Sequence, residues 1–329
     1  MIHIKNLEEK YIEDASKLAI QEYQQELKKC KSLVKTNFED EITKIIKSLF
    51  ENKHGKVALE NDKVMGYIAF WGPWDGALGK VKGVYSPIGG SAFAGSDRGK
   101  LASILFAEVA EEMADNRICG FALSRYAHDE EIAKSLIMNG FGIRCADAIM
   151  QLSDRHIVDK IDTELEFTEL IGEEKKMIES LRKGLVRHLC KAPIFFPTDL
   201  KEFSNWMKQD SIRIVAARKD QEIIGYMALD DEAETFVSEH PSVYNICGAY
   251  VGENYRNSGV AQQLLEHLCQ ICEKEGKEYL GVECETLNPT ALRFWRKYFE
   301  IYTYSYARRI DERVVGYEKY LDMCWGVLE

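Results

Sequence analysis

Apolar residues recur along this chain with two periods. Short runs that are apolar throughout or on alternate positions, bounded by Asn, Asp, Gln and Gly, predict strands. In the second half these are Leu165–Leu170, Ile212–Arg218, Ile223–Leu229, Val243–Val251, Tyr279–Thr286 and Tyr302–Arg309. Between them, apolar positions spaced three and four apart predict helices within Glu173–Leu189, Asp199–Gln209, Val260–Lys274 and Pro289–Lys297. The first half repeats the order, with a helical stretch at Lys100–Met113 following Gly99. Strands and helices that alternate in this way predict an α+β class, a three-layer α/β arrangement with mixed, mostly antiparallel sheets.

The repetition extends to single residues. Val64-Met65-Gly66-Tyr67-Ile68-Ala69 returns as Ile223-Ile224-Gly225-Tyr226-Met227-Ala228, an offset of 159 positions. Gly99 then matches Gly259 and Asp129 matches Asn288 at nearly the same offset. Chance does not hold register over that distance, so the chain reads as two tandem copies of one domain, residues 1–155 and 156–329. Domains of about 100–200 residues fit twice into 329. The polar stretch Ser153–Thr163 has neither apolar period and reads as a short tether.

Composition narrows the partners. A formal charge of −11 argues against a surface that tracks phosphates, hence against nucleic acid, and favours a cationic small molecule. There is no apolar run long enough to span a bilayer and no signal-type leader, so a cytoplasmic location without membrane is expected. The nine cysteines, an odd number scattered through predicted elements, read as small reduced hydrophobes. Cys269-Gln270-Ile271-Cys272 with His267 lacks the second ligand pair of a zinc site and lies inside a helix, so no metal is expected. His54, His128 and His188 stand isolated and receive no role.

The stretch that carries chemistry is Ala249-Tyr250-Val251-Gly252-Glu253-Asn254-Tyr255-Arg256-Asn257-Ser258-Gly259-Val260-Ala261. It runs from a predicted strand through a tight turn into a helix. Helix N-terminal amides with no intrahelical partner, at the positive end of the macrodipole, form an anion site suited to a pyrophosphate. Arg256, Gly259 and Ala261 stand at the spacing of the acyl-CoA-binding signature of the GCN5-related N-acetyltransferases (GNAT), which the stretch resembles. Asn288, Ala291, Phe294 and Trp295 fit a second signature of that family. Where the family often has a proline two residues after the valine of the lead-in, this chain has Glu253.

The resemblance implies two tandem GNAT-like domains and an acetyl-CoA-dependent N-acetyltransferase. It would move an acetyl group to a primary amine of a small, amine-bearing acceptor, as a monomer or homodimer. Acetyl-CoA would be held by Ala249, Tyr250, Val251, Arg256, Asn257, Ser258, Gly259, Val260, Ala261, Asn288 and Trp295. In this reading the strand around Ala249–Val251 pairs with the pantetheine amides. Glu283 and Glu285, two apart on a predicted strand and so on one face, are candidate bases, with Glu253 a third. The family's usual acid tyrosine is replaced by Trp295, which leaves Tyr298, or Tyr302 and Tyr304, to protonate the leaving thiolate.

In the first copy Ser96 takes the place of Arg256, Leu101 that of Ala261, Asp129 that of Asn288 and Leu136 that of Trp295. A bulky Leu101, a negative Asp129 and the irregular Pro87-Ile88-Gly89-Gly90 lead-in all speak against a cofactor site there. Phe70-Trp71 with Trp74 suggests an apolar face in that copy, which packing would equally explain. Two alternatives remain: an acyl-CoA-binding sensor without turnover, and an aminoacyl transferase of related tandem fold.

Overall fold

The computed structural model describes residues 1–76, 79–158 and 164–325. In chain order the elements are β1 His3–Asn6, α1 Ile12–Lys29, α2 Glu39–Asn52, β2 His54–Glu60, β3 Lys63–Asp75, β4 Lys82–Ser86, β5 Ser91–Phe93, α3 Arg98–Asp115, β6 Ile118–Tyr126, α4 Glu130–Met138 and β7 Gly142–Gln151. They continue with β8 Glu166–Leu170, α5 Glu179–Leu189, α6 Leu200–Lys208, β9 Arg213–Lys219, β10 Glu222–Asp230, β11 Val243–Val251, α7 Val260–Lys274, β12 Tyr279–Glu285, α8 Pro289–Trp295, β13 Glu300–Arg309 and α9 Tyr317–Trp325. The α+β class expected from the periodicities is the class observed. Among the described residues no helix is long and apolar enough to cross a membrane.

Two compact units divide the chain, and they do not follow its consecutive halves. The first consists of Met1–Cys30, Lys35–Arg144 and Tyr302–Glu329; the second of Lys31–Val34 and Cys145–Ile301. Strand β13, late in the sequence, pairs antiparallel with β6 in the first unit, Thr303 opposite Tyr126 through Arg309 opposite Gly120. Strand β7, from the first half, pairs antiparallel with β12 in the second, Tyr279 opposite Gln151 through Glu285 opposite Cys145. Each unit thus closes its sheet with the strand that the 155/156 division assigns to the other copy. Strand periodicity reports which residues face a core, not which neighbour a strand will choose. The expected tether at Ser153–Thr163 begins as a turn at Leu152–Asp154, and its residues 159–163 lie outside the described residues.

With that exchange allowed, the units share one topology. In the first, β1, β2, β3, β4, β6 and β13 lie in that order, with β5 also on β3. In the second, the order is β8, β9, β10, β11, β12, β7. Among the described residues each has a single parallel pair, β4 with β6 and β11 with β12, so both sheets are mixed and mostly antiparallel. The repeated motif carries the same irregularity in both: the β2/β3 ladder slips between Ala58 and Leu59, next to Gly66, and the β9/β10 ladder between Ile223 and Gly225. The third landmark is equivalent too, since Asp129 caps α4 and Asn288 caps α8.

Aromatic and aliphatic packing fills both units. Phe70, Phe106, Phe121 and Phe141 meet edge to face in the first, where Leu101 also lies buried. Ile214, Ala216, Tyr226 and Ala228 cover one face of the second sheet under α5 and α6. Cys269 and Cys272 are fully buried inside α7, and burial pushes both thiols up, that of Cys272 to about 12. They are packing residues, as their helix context predicts.

Candidate active site

The site in the second unit starts from a bulge. Ladder β10/β11 slips at Ala228/Leu229, so that Gly248 lies opposite Ala228, Ile246 lies opposite Leu229 and Cys247 is the extra residue. Parallel pairing of β11 with β12 ends at Ile246 opposite Val282. Beyond it β11 runs on to Val251 while β12 runs on to Glu285, so the two strands splay. The edge of β11 from Cys247 to Val251 that turns away from β10 has no ladder partner on β12. Ala249, Tyr250 and Val251 thus lie on a wedge with one open backbone edge, which fits an extended amide chain added as a strand.

The wedge leads into the turn. Val251 is followed by a short 3-10 turn at Glu253–Tyr255, and Arg256 Nε donates to the Val251 carbonyl at 3.2 Å. Ser258 Oγ donates to the Tyr255 carbonyl at 2.6 Å. Asn257 (φ +62°) and Gly259 (φ +87°) are both left-handed. Gly259 is the N-cap of α7 and offers no side-chain cap, and the first turn of α7 holds no acidic residue. A Cβ added at Gly259 would meet nothing nearer than Gln263 Nε2 at 3.9 Å. The leading amides of this fifteen-residue helix thus have no side-chain cap from Gly259, with Val260 buried below them and Ala261 too small to screen them.

Two of the expected cofactor residues have other employment. Trp295 is 6% exposed and packs edge-on against Phe294 and Phe299, so its indole belongs to the core under α8. Asn288 is buried, and its side-chain oxygen accepts from the Ala291 amide at 3.4 Å, which makes it the cap that starts α8.

Strand parity assigns the remaining side chains to a face. Tyr226, Ala228 and Asp230 alternate along β10 toward α5 and α6. Asn245 lies opposite Asp230, Gly281 opposite Asn245, and Glu283 two residues beyond Gly281. Glu283 and Glu285 therefore open onto the α5/α6 face at the mouth of the wedge. On β7, Asp147 stands opposite Glu283 and Cys145 opposite Glu285. The Cys145 thiol donates to Glu285 Oε1 at 3.3 Å, and burial with the surrounding carboxylates pushes that thiol far up. Glu283 keeps contact with solvent, yet the protein packed around it, together with Asp147 and Glu234, pushes its carboxyl up to about 8.

The acid candidates separate. Tyr298 sits past the end of α8, its ring 5.3 Å from Phe294 and its hydroxyl beside Gln262 in the first turn of α7; burial raises its pKa. Tyr302 is 2% exposed and, like Tyr304, belongs to the first unit through β13, which the sequence could not show. Glu253 is largely exposed, 4.0 Å from Arg256.

Sequence reasoning missed Asp147, because β7 comes from the other half, and the neighbourhood of Gly248. A Cβ at Gly248 would lie 3.3 Å from Trp206 and 3.4 Å from an Arg182 guanidinium nitrogen. Nothing in their helical spacing distinguishes Arg182 and Trp206 from ordinary amphipathic positions. In the first unit, Phe70 is fully buried, while Trp71 and Trp74 line a groove of about 520 Å³ with Ser48, Glu51, Asn52 and Pro73. That groove is not at the splay.

Residues 182–300 match the family model described as acetyltransferase (GNAT) family. The fold is similar to that of a GCN5-related N-acetyltransferase from Sphaerobacter thermophilus, with a TM-score of 0.60 at 11% identity, covering 94% of this chain and 95% of that one. It is also similar to a GCN5-related glucosamine N-acetyltransferase region of a fungal multi-domain β-N-acetylglucosaminidase, with a TM-score of 0.53 at 12% identity. There 93% of this chain covers 38% of the other. No curated protein matches this chain.

Proposed function

We propose that this chain, whose residues 182–300 match the family model described as acetyltransferase (GNAT) family, is an acyltransferase whose second unit transfers an acetyl group from acetyl-CoA to a primary amine of a small molecule. The observation that carries the proposal is the uncapped N-terminus of α7 lying at the end of the splayed β11 edge. One feature suits a pyrophosphate and the other an amide chain, in the order in which coenzyme A presents them.

The residues fit the group. Gly259, Val260 and Ala261 would hold the phosphates by their backbone amides, flanked by Arg256, Asn257 and Ser258, and Ala249–Val251 would pair with the pantetheine. When bound, acetyl-CoA supplies the activated acyl carbon. A backbone N–H on the open β11 edge polarises the carbonyl oxygen. Glu283, with its carboxyl near 8, takes a proton from the acceptor's ammonium, directly or through water, and so leaves a neutral amine to attack. In the net reaction a C–N bond forms as the C–S bond breaks. Glu283 hands the first proton to solvent and takes the amine's second as the C–N bond forms, while the departing thiolate takes one proton from solvent, directly or through Tyr298, which solvent reprotonates, so that one proton is released overall.

Calorimetric titration of the full chain with acetyl-CoA, followed by release of free CoA thiol across a panel of primary amines, tests this. One site per chain with turnover is the expected result. Absence of binding would overturn the reading, and binding without release in the presence of any amine would favour a sensor.

A further inference from the structure

We infer that the acceptor amine carries a carboxylate, and that Arg182 binds it. This deepens the acetyltransferase reading and rests on it. Arg182, on α5, lies against Gly248 at the start of the splay, where the missing side chain lets the guanidinium approach the strand. Its guanidinium carbon sits 3.9 Å from the centroid of the Trp206 ring, a stacking contact that fixes the plane of the fork.

Arg182 lacks an anion where three other covered arginines have theirs. Arg125 pairs with Glu22 and Asp129, Arg155 with Glu266 and Glu273, and Arg213 with Glu169 and Glu275. In a chain with 54 acidic residues, each of these covered arginines has two carboxylates. Arg182 has none among the described residues, and its Nε is buried without a hydrogen-bond partner. The fully buried Tyr226 hydroxyl faces this guanidinium, which has no acceptor to offer its proton, and among the described residues no acceptor lies within hydrogen-bond distance of it. A covered cation and a neighbouring hydroxyl, both unsatisfied, cost stability unless something supplies acceptors. A carboxylate bound to the fork, with an oxygen accepting from Tyr226, satisfies both.

The same face of the sheet presents Glu283. An acceptor with its carboxylate on Arg182 turns its amine toward Glu283 and the wedge, so the two side chains read the two ends of an amino acid. The carboxylates around Glu283 attract the amine end, while Arg182, stacked on Trp206, disfavours a carboxylate-free polyamine, which would set a second cation against the guanidinium.

The test pairs amines that differ only at this group: amino acids, their carboxamides and their decarboxylated counterparts, with acetyl-CoA and the full chain. Carboxylate-bearing amines should exceed their carboxamides in kcat/KM by about 100-fold, since a site built around a buried donor rejects a ligand that leaves it unpaired. Arg182→Met should erase that preference by raising KM about 100-fold for the amino acids, with kcat at saturation and the Kd of acetyl-CoA within threefold, and Arg182→Lys should restore part of it. Equal or better turnover of carboxamides or polyamines, an equal loss on both series in Arg182→Met, or acetyl-CoA binding with neither series turned over overturns the inference and leaves the donor site standing. Loss of acetyl-CoA binding in the wild-type chain is the separate failure of the acetyltransferase reading.

Discussion

The two units place the same two features side by side, and they treat them in opposite ways. In the second, the edge of β11 beyond Ile246 has no partner on β12 and the N-terminus of α7 has no side-chain cap. In the first, β5 is the counterpart of the far end of β11, because Phe93 pairs with Gly66 as Val251 pairs with Gly225. There the chain's own side chains hold the edge: the Phe93 amide donates to Glu22 Oε1 at 3.0 Å and the Ser91 carbonyl accepts from the Arg125 guanidinium. At the helix N-terminus, the Gly99 amide donates to Glu131 Oε1 at 2.9 Å and the Lys100 amide to the Asp97 cap. Where a coenzyme would bring amides and phosphates, the first unit supplies an internal Arg–Glu pair and a carboxylate. In the first unit these hydrogen-bonding groups are satisfied from within, as buried backbone polar groups must be.

That contrast also revises two expectations drawn from substitutions. Leu101 does not stand in the phosphate position; it is buried in the core, 3.0 Å from where a Cβ on Gly66 would lie. Asp129 does not present a bare charge. Arg125 and Arg98 both pair with it, and against the effect of burial they hold its carboxyl below the usual value.

The largest effect should come from exchanging the character of the two helix N-termini. Gly259→Asp places a carboxylate at the start of α7, as Glu131 already does at α3, and should weaken acetyl-CoA binding by about 1000-fold, with a stability cost of about 1–2 kcal/mol for a left-handed Asp. Gly99→Asp, in a helix that has its anion, should leave the affinity within twofold. Calorimetry on both variants decides it, and equal losses would break the comparison.

Next in size is the plug itself. Arg125→Met leaves Glu22 and Asp129 without their buried partner and should destabilise the chain by about 3–5 kcal/mol in urea denaturation. Acetyl-CoA should still bind once per chain. A second binding event in this variant would mean that the Arg–Glu pair alone closes an otherwise competent site.

Glu283 has no acidic counterpart in the first unit. The residue 159 positions before it is Ser124, whose hydroxyl bonds to Tyr85 and Ser305. Glu283→Gln should lower kcat/KM by about 100-fold. In the wild type, kcat/KM should rise with pH through about 8 as Glu283 loses its proton. Asp147→Asn removes a repelling neighbour and should move that limb to lower pH. The same raised pKa means that the folded chain holds the proton more tightly than the unfolded one. The stability it confers is present in full below the unfolded carboxyl's pKa and fades as pH rises toward 8, and Asp147→Asn should soften the fall. A pH profile unmoved by Asp147→Asn would remove Glu283 as the base.

The comparison also marks what a sequence carries. The periods of Val260–Lys274 and Val243–Val251 were legible to the residue, because burial on one face writes itself into spacing. The duplicate glycine and the Asp129/Asn288 caps were legible because a bulge and a cap each demand few residue types. The exchange of β7 and β13 was not legible: both strands have one buried face in either arrangement. Nor were the internal contacts of the first unit, since Glu22 lies far from Arg125 in sequence, and Glu131 far from Gly99, and each pair meets only in the folded unit. Arg182 escaped for the same reason, its distinction being the absence of a partner.

The smallest effect concerns the equivalent caps. Asp129 and Asn288 both accept from the amide three residues on, so Asn288→Asp installs the first unit's residue in the second without removing the cap. Were Asn288 a contact of the coenzyme, the added charge would repel the phosphates and weaken binding many-fold. If the cap is its whole contribution, Asn288→Asp should leave the Kd of acetyl-CoA within twofold, while Asn288→Ala should cost about 1 kcal/mol of stability. Measuring affinity and unfolding on the same two variants separates the roles, because a ligand contact moves the first and a cap moves the second.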